Sequence, residues 1–183
     1  MGNAEHKVSG FFLLEDVKFV EQEKGQEGLV YLQILVPELT IESLSILRLY
    51  PLEQEIALLR GVAIVVFGDE SEDSWKKVGK HDFDTGLKSP WGRNFFTILG
   101  GDPAKLLSKM VPIVERVIPY MGISIKDITK TGATFVTTSD PYPRGYFYGI
   151  LQSLVEYFGG VKEGITVTRM GSHVQIYKLD WTH

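Results

Sequence analysis

Cysteine is absent from the 183 residues, which excludes disulfides, thiolate zinc sites, a cysteine nucleophile and palmitoylation together. A reducing, cytoplasmic setting is the expectation that follows. Runs of positive charge are scarce too. The longest is Lys76-Lys77, and 19 Lys+Arg against 23 Asp+Glu leave a formal net charge of -4, so the electrostatic footprint of a nucleic-acid binder is missing and no DNA or RNA partner is expected. Long apolar runs are lacking as well. The most apolar stretch, Ile56 to Phe67, is interrupted by Arg60 and falls far short of the roughly 20 residues that span a bilayer. The start, Met1-Gly2-Asn3-Ala4-Glu5-His6, has neither the layout of a signal peptide nor the Ser or Thr of a myristoylation motif. No internal repeat or low-complexity segment is present.

What is there is ordinary globular material, 44% hydrophobic and 23% charged, and it reads as one domain over 1–183. Helical spacing of Leu13, Val17, Val20 and then Leu29, Leu32, Leu35, with Gly25 and Gly28 between, predicts a helical hairpin ended by Pro37. Leu52, Ile56, Leu59, Ala63 and Val66 form one helix face between Pro51 and Gly68. A further helix opens near Ser71, carries Trp75, Val78, Phe83 and Leu87, and ends around Pro90 and Gly92. Asp102-Pro103 caps the strongest amphipathic stripe, Leu106 to Ile118, with a kink expected at Pro112.

From Gly122 the pattern turns β-branched. Ile123 to Thr129 and Ala133 to Thr138 read as a hairpin, then comes a helix with Phe147, Ile150, Leu151, Leu154, Val155 and Phe158 on one face, then strands at about 165–170 and 174–181. In the last strand Val174 and Ile176 point opposite to Tyr177, Leu179 and Trp181, which requires either a bulge or a sheet covered on both faces. The fold class is α+β, helices over about 1–120 followed by a β-β-α-β-β antiparallel unit over about 121–183.

Catalytic motifs are missing. No phosphate loop, dinucleotide fingerprint or nucleophile elbow occurs. His81-Asp82-Phe83-Asp84 has the composition of a metal or acid–base site, but the Trp75 to Lys80 segment before it is helical rather than a buried strand, and a solvated helix face is the plainer reading. His6, His81, His173 and His183 are scattered without ligand spacing. A haem ligated by His81 is set aside, because a lone helical histidine is more often a surface or core residue. No cofactor is expected, and Thr134, Thr137, Thr138 and Ser139 are read as β-formers. The unusual local compositions are aromatic, Tyr142, Arg144, Tyr146 and Tyr148 in one segment, Trp91 and Arg93 in another. Arg and Tyr dominate binding hot spots, so these six are the candidate ligand-binding residues, with loop shaping and packing as the competing explanation.

Gly10, Gly25, Gly28, Tyr50-Pro51, Phe67-Gly68, Gly79, Pro141, Gly149-Ile150-Leu151, Gly159 and Trp181 stand in an order that resembles a family of uncharacterised proteins expanded as paralogues in myxobacteria and their relatives. The C-terminal unit also resembles the 4-vinyl-reductase-like domain, whose superfamily includes small-molecule sensor domains and subunits of the transport protein particle of vesicle traffic. The resemblance implies a ligand pocket between helix and sheet, or dimerisation. The metal-binding and acylated cysteines of some members have no counterpart here. The expectation is therefore a non-enzymatic regulatory sensor that binds a small, largely apolar ligand between the Gly145 to Phe158 helix and the sheet. The alternative is a homodimeric protein-interaction module acting on a partner such as a small GTPase. An enzyme centred on His81, Asp82 and Asp84 is a third class.

Overall fold

The computed structural model describes residues 6–99, 103–117, 121–160, 164–170 and 174–181. The backbone gathers into two compact units, 1–78 and 79–183.

In the first unit the short strand β1 (Lys7–Ser9) pairs antiparallel with β2 (Leu49–Pro51). Helix α1 (Gly10–Leu35) starts on a Ser9 cap whose hydroxyl accepts from the Phe11 N–H at 3.3 Å, satisfying one of the orphan donors of the first turn. Gly25 (φ 66, ψ -161) interrupts α1 with a conformation essentially reserved for glycine. A Cβ on Gly28 would lie 3.3 Å from Val20, whereas eight residues of straight helix rise about 12 Å. The chain therefore doubles back at Gly25, and the expected hairpin is present. Helix α2 (Leu52–Val62) runs on into a π-helical turn, Ala63–Phe67, closed by Gly68. The N-terminus of α3 (Glu72–Lys88) is held by Ser71, whose hydroxyl accepts from the Ser74 N–H at 3.2 Å. Hydrogen bonds from Ser74 and Ser71 hold the nearby Asp69 carboxyl down at about 2.

The boundary between the units falls inside α3, after Val78. Pro90 does not merely end this helix, as its sequence suggests. It opens a new one, α4 (Pro90–Leu99), because proline at a first helical position forfeits no hydrogen bond. Helix α5 (Pro103–Val117) contains Pro112 and buries Leu106 and Leu107 completely. The Asp102 cap and Ile118 lie outside the described residues.

The rest of the second unit is a four-stranded antiparallel sheet, β3 (Gly122–Lys126), β4 (Gly132–Thr138), β5 (Ile165–Met170) and β6 (Val174–Asp180), in the order β3-β4-β6-β5. Helix α6 (Tyr146–Tyr157) joins β4 to β5, and the α+β class read from the sequence holds. Pairing of β4 with β6 is unbroken from Gly132↔Asp180 to Thr138↔Val174, so the last strand contains no bulge. Tyr177 and Leu179 face inward and are buried, while Val174 and Ile176 on the other face are half-buried. Partial cover of the outer face accounts for the two-faced sequence.

Candidate functional site

Registers across the sheet sort its inward side chains into rows. One row holds Ala133, Leu179 and Ile165, the next Ile125, Phe135, Tyr177 and Val167, and the last Ile123, Thr137, Gln175 and Arg169. Helix α6 offers Phe147, Leu151, Leu154 and Val155, each 5% exposed or less. At 100° per residue these fall on one stripe. Phe147 meets Phe135 with ring centroids 6.4 Å apart, and Phe158 meets Trp181 at 5.3 Å. The described side chains of this layer thus touch across it, and each buried one contributes about 1.5–3 kcal/mol before entropy is subtracted.

The other face of α6 is met by α3. A Cβ on Gly79 would sit 2.0 Å from the Tyr146 carbonyl oxygen, so only glycine lets the two backbones approach this closely. Lys80 pairs with Glu156 beside that contact. The Tyr146 hydroxyl donates to Asp82 Oδ2 at 2.6 Å, a charge-assisted bond of the stronger kind. Tyr142 stacks on the Tyr146 ring at 4.5 Å and 15°.

Polar groups collect at the Thr137 end of the sheet. The Tyr142 N–H donates to Asp140 Oδ1 at 2.9 Å, Gln175 Nε2 to Asp140 Oδ2 at 3.3 Å, and the Tyr177 hydroxyl to Gln175 Oε1 at 2.9 Å. Burial pushes the Asp140 carboxyl up to about 6, against the pull of the Tyr142 N–H. Thr137 is 0% exposed and its hydroxyl has no hydrogen-bond partner; the Ser153 hydroxyl on α6 shares that condition. Native interiors contain few such groups, and each calls for an explanation.

Of the six residues chosen from sequence, Tyr142 and Tyr146 are buried and stacked on each other, Tyr148 is half-buried, and Arg144 and Arg93 are exposed. The Trp91 side chain lies outside the described residues. The structure brings Tyr142 and Tyr146 together with Asp82, which the sequence had placed on a solvated helix face. His81 Nε2 lies 3.3 Å from the Thr85 hydroxyl, one turn along the same helix. Sequence reasoning missed Asp140 and Gln175 and read Thr137 as a strand former. The alternation Ala133, Phe135, Thr137 already put that hydroxyl on the inward face.

The fold is that of H-NOX, the haem nitric oxide/oxygen binding domains, which share it with 4-vinyl-reductase-like and transport-particle domains. The unliganded Fe(II) H-NOX protein from K. algicida matches with a TM-score of 0.69 at 16% identity, over 94% of this chain and 96% of that one. An oxygen-binding H-NOX domain related to soluble guanylate cyclases matches at 0.65 and 15%, over 94% and 93%. A protein described for modulation of haem redox potential through porphyrin distortion matches at 0.68 and 15%, over 94% and 99%. No curated protein matches the chain.

Haem iron needs an axial His, Cys, Met or Tyr beside a space that admits the macrocycle. Cysteine is absent. Among the described residues of the second unit, His81 contacts Thr85, Tyr146 donates to Asp82 and Tyr177 to Gln175. His81 also stands well over 90° around α3 from Gly79 and Phe83, away from the α6 contact. His81 is therefore not presented to the α6–sheet layer, and the Tyr146 and Tyr177 hydroxyls already donate to Asp82 and Gln175. Residues 38–182 match the model of a family described as protein of unknown function, DUF2378, and the chain belongs to that family.

Proposed function

We propose that this chain is a non-enzymatic sensor domain that binds a small, largely apolar ligand between α6 and the sheet of the 79–183 unit. The observation that carries this reading is the Thr137 hydroxyl, sealed and unpartnered in a row it shares with Ile123 and Gln175, one row along from the Phe135–Phe147 contact. Leaving such a group unsatisfied costs about 1–3 kcal/mol. A ligand that brings one polar atom on an apolar body would offset that cost. The fold adds support, since solved structures with this architecture include an oxygen-binding domain, and the engagement of Asp82 by Tyr146 argues against a free acid–base pair.

Native mass spectrometry of the freshly purified protein, compared with the same sample denatured, tests the reading. A co-purifying mass released on denaturation is the expected result. A bare monomer that also takes up no apolar probe would overturn it.

A second reading, a homodimeric interaction module, draws on the first unit. There Val30, Tyr31 and Ile34 of α1 are 62%, 48% and 67% exposed, and Leu47 is 91% exposed. A second copy of this chain is the occupant such a face would take, and a clean dimer without bound mass would favour it.

A further inference from the structure

We infer that the polar end of the ligand is a hydrogen-bond donor, a hydroxyl or an ammonium, received by Thr137, Asp140 and Gln175 beside a stiff segment formed by residues 140–144. This rests on the sensor reading above and names the chemistry of the same site.

The acceptor inventory carries the first half. Thr137 is wholly buried and its hydroxyl neither accepts nor donates a hydrogen bond, so it can receive a ligand hydroxyl in both directions and an ammonium as acceptor. Gln175 stands opposite Thr137 in the register of β4 and β6, and its amide nitrogen reaches Asp140. One Tyr142 N–H and one Gln175 N–H go to the Asp140 carboxylate, which has about four lone-pair sites. Gln175 Oε1 takes one bond from Tyr177 and keeps a second lone pair. The three groups therefore offer spare acceptors. A donor fits them, whereas a ligand carboxylate would set charge against charge beside Asp140 in a poorly solvated site.

The stiff segment follows from the backbone. Ser139 (φ 57) and Gly145 (φ 98) both adopt left-handed conformations, so the chain turns sharply at each end of Asp140-Pro141-Tyr142-Pro143-Arg144. Pro141 and Pro143 fix φ within that stretch. The segment is therefore stiff, and it rests on α6 through the Tyr142–Tyr146 stack and the hydrogen bond from the Tyr146 N–H to the Pro143 carbonyl. Its inner side is Asp140 and Tyr142, its outer side the exposed Arg144. Asp140 binds Gln175, the neighbour of Thr137 across the β4–β6 pair, so this segment borders the Thr137 row.

Calorimetric titration of the full chain with decanol, decylamine and decanoate, below their aggregation limits, tests this. Decanol and decylamine are expected to bind at least tenfold more tightly than decanoate. Thr137→Val should weaken decanol about tenfold while the circular dichroism spectrum is retained and the melting temperature does not fall. Asp140→Asn, a second variant, should weaken decylamine more than decanol. Decylamine should also slow tryptic cleavage after Arg144 by holding this segment in place. Equal binding of the three probes, or Thr137→Val binding decanol as the parent does, overturns the donor assignment and leaves the sensor reading standing. Binding of none of the three overturns both.

Discussion

The inward face of the sheet in the 79–183 unit has two ends built on different terms. At one, Phe135 meets Phe147 of α6, Tyr177, Leu179, Leu151 and Leu154 are buried, and the Tyr177 hydroxyl bonds Gln175. At the other, Thr137 is buried without a partner and Asp140 is held in a setting that raises its carboxyl to about 6. The first end is where stability is made. The second carries a cost that packing alone does not explain, and costs of that kind concentrate at functional sites.

The contrast can be broken most sharply at the apolar end. Phe147→Ala should destabilise the protein by about 3–5 kcal/mol, read as a shifted midpoint in urea unfolding. A loss below about 1 kcal/mol would mean that α6 is not seated on Phe135.

At the polar end stability should depend on pH. The folded Asp140 carboxyl titrates near 6, above its ordinary 3.8, so the native state binds the proton more tightly than the unfolded chain. The contribution of this group to stability is therefore most favourable at low pH and declines as pH rises from about 4 to 6, levelling above that. Asp140→Asn should flatten this decline and raise stability at pH 7 by on the order of 2 kcal/mol. Unfolding midpoints measured from pH 4 to 8 in both proteins decide it, and parallel profiles would refute the assignment.

Smaller still is the tie between α6 and α3. Tyr146→Phe removes the hydrogen bond to Asp82 and should cost about 1.5 kcal/mol, visible as a lower melting temperature with unchanged secondary structure. The smallest expected change is a gain. Thr137→Val keeps the shape and deletes the unsatisfied hydroxyl, and differential scanning calorimetry should register stabilisation of up to about 1 kcal/mol. A loss would show that the hydroxyl is satisfied in solution.

Much of the architecture was legible in the chain because its punctuation is physical. Gly25 turns the first helices back on each other, Gly68 closes α2 and its π-helical extension, and the alternation in β4 separates Ala133, Phe135 and Thr137 from Thr134 and Val136. Pro90 was misread because proline marks both the end of one helix and the first turn of the next. The site was legible only in part. The aromatic segment drew attention to Tyr142 and Tyr146, yet nothing local reveals that their rings stack or that Asp82, 64 residues before Tyr146, receives its hydroxyl.

By itself the sequence determined the element types, the sidedness of each strand and helix, and the absence of thiol chemistry, because these follow from local periodicity and composition. Only the tertiary structure decided that Thr137, Asp140 and Gln175 share one corner and that Gly79 must lack a side chain. Both depend on strand register and helix approach, which are set by packing between segments far apart in the chain.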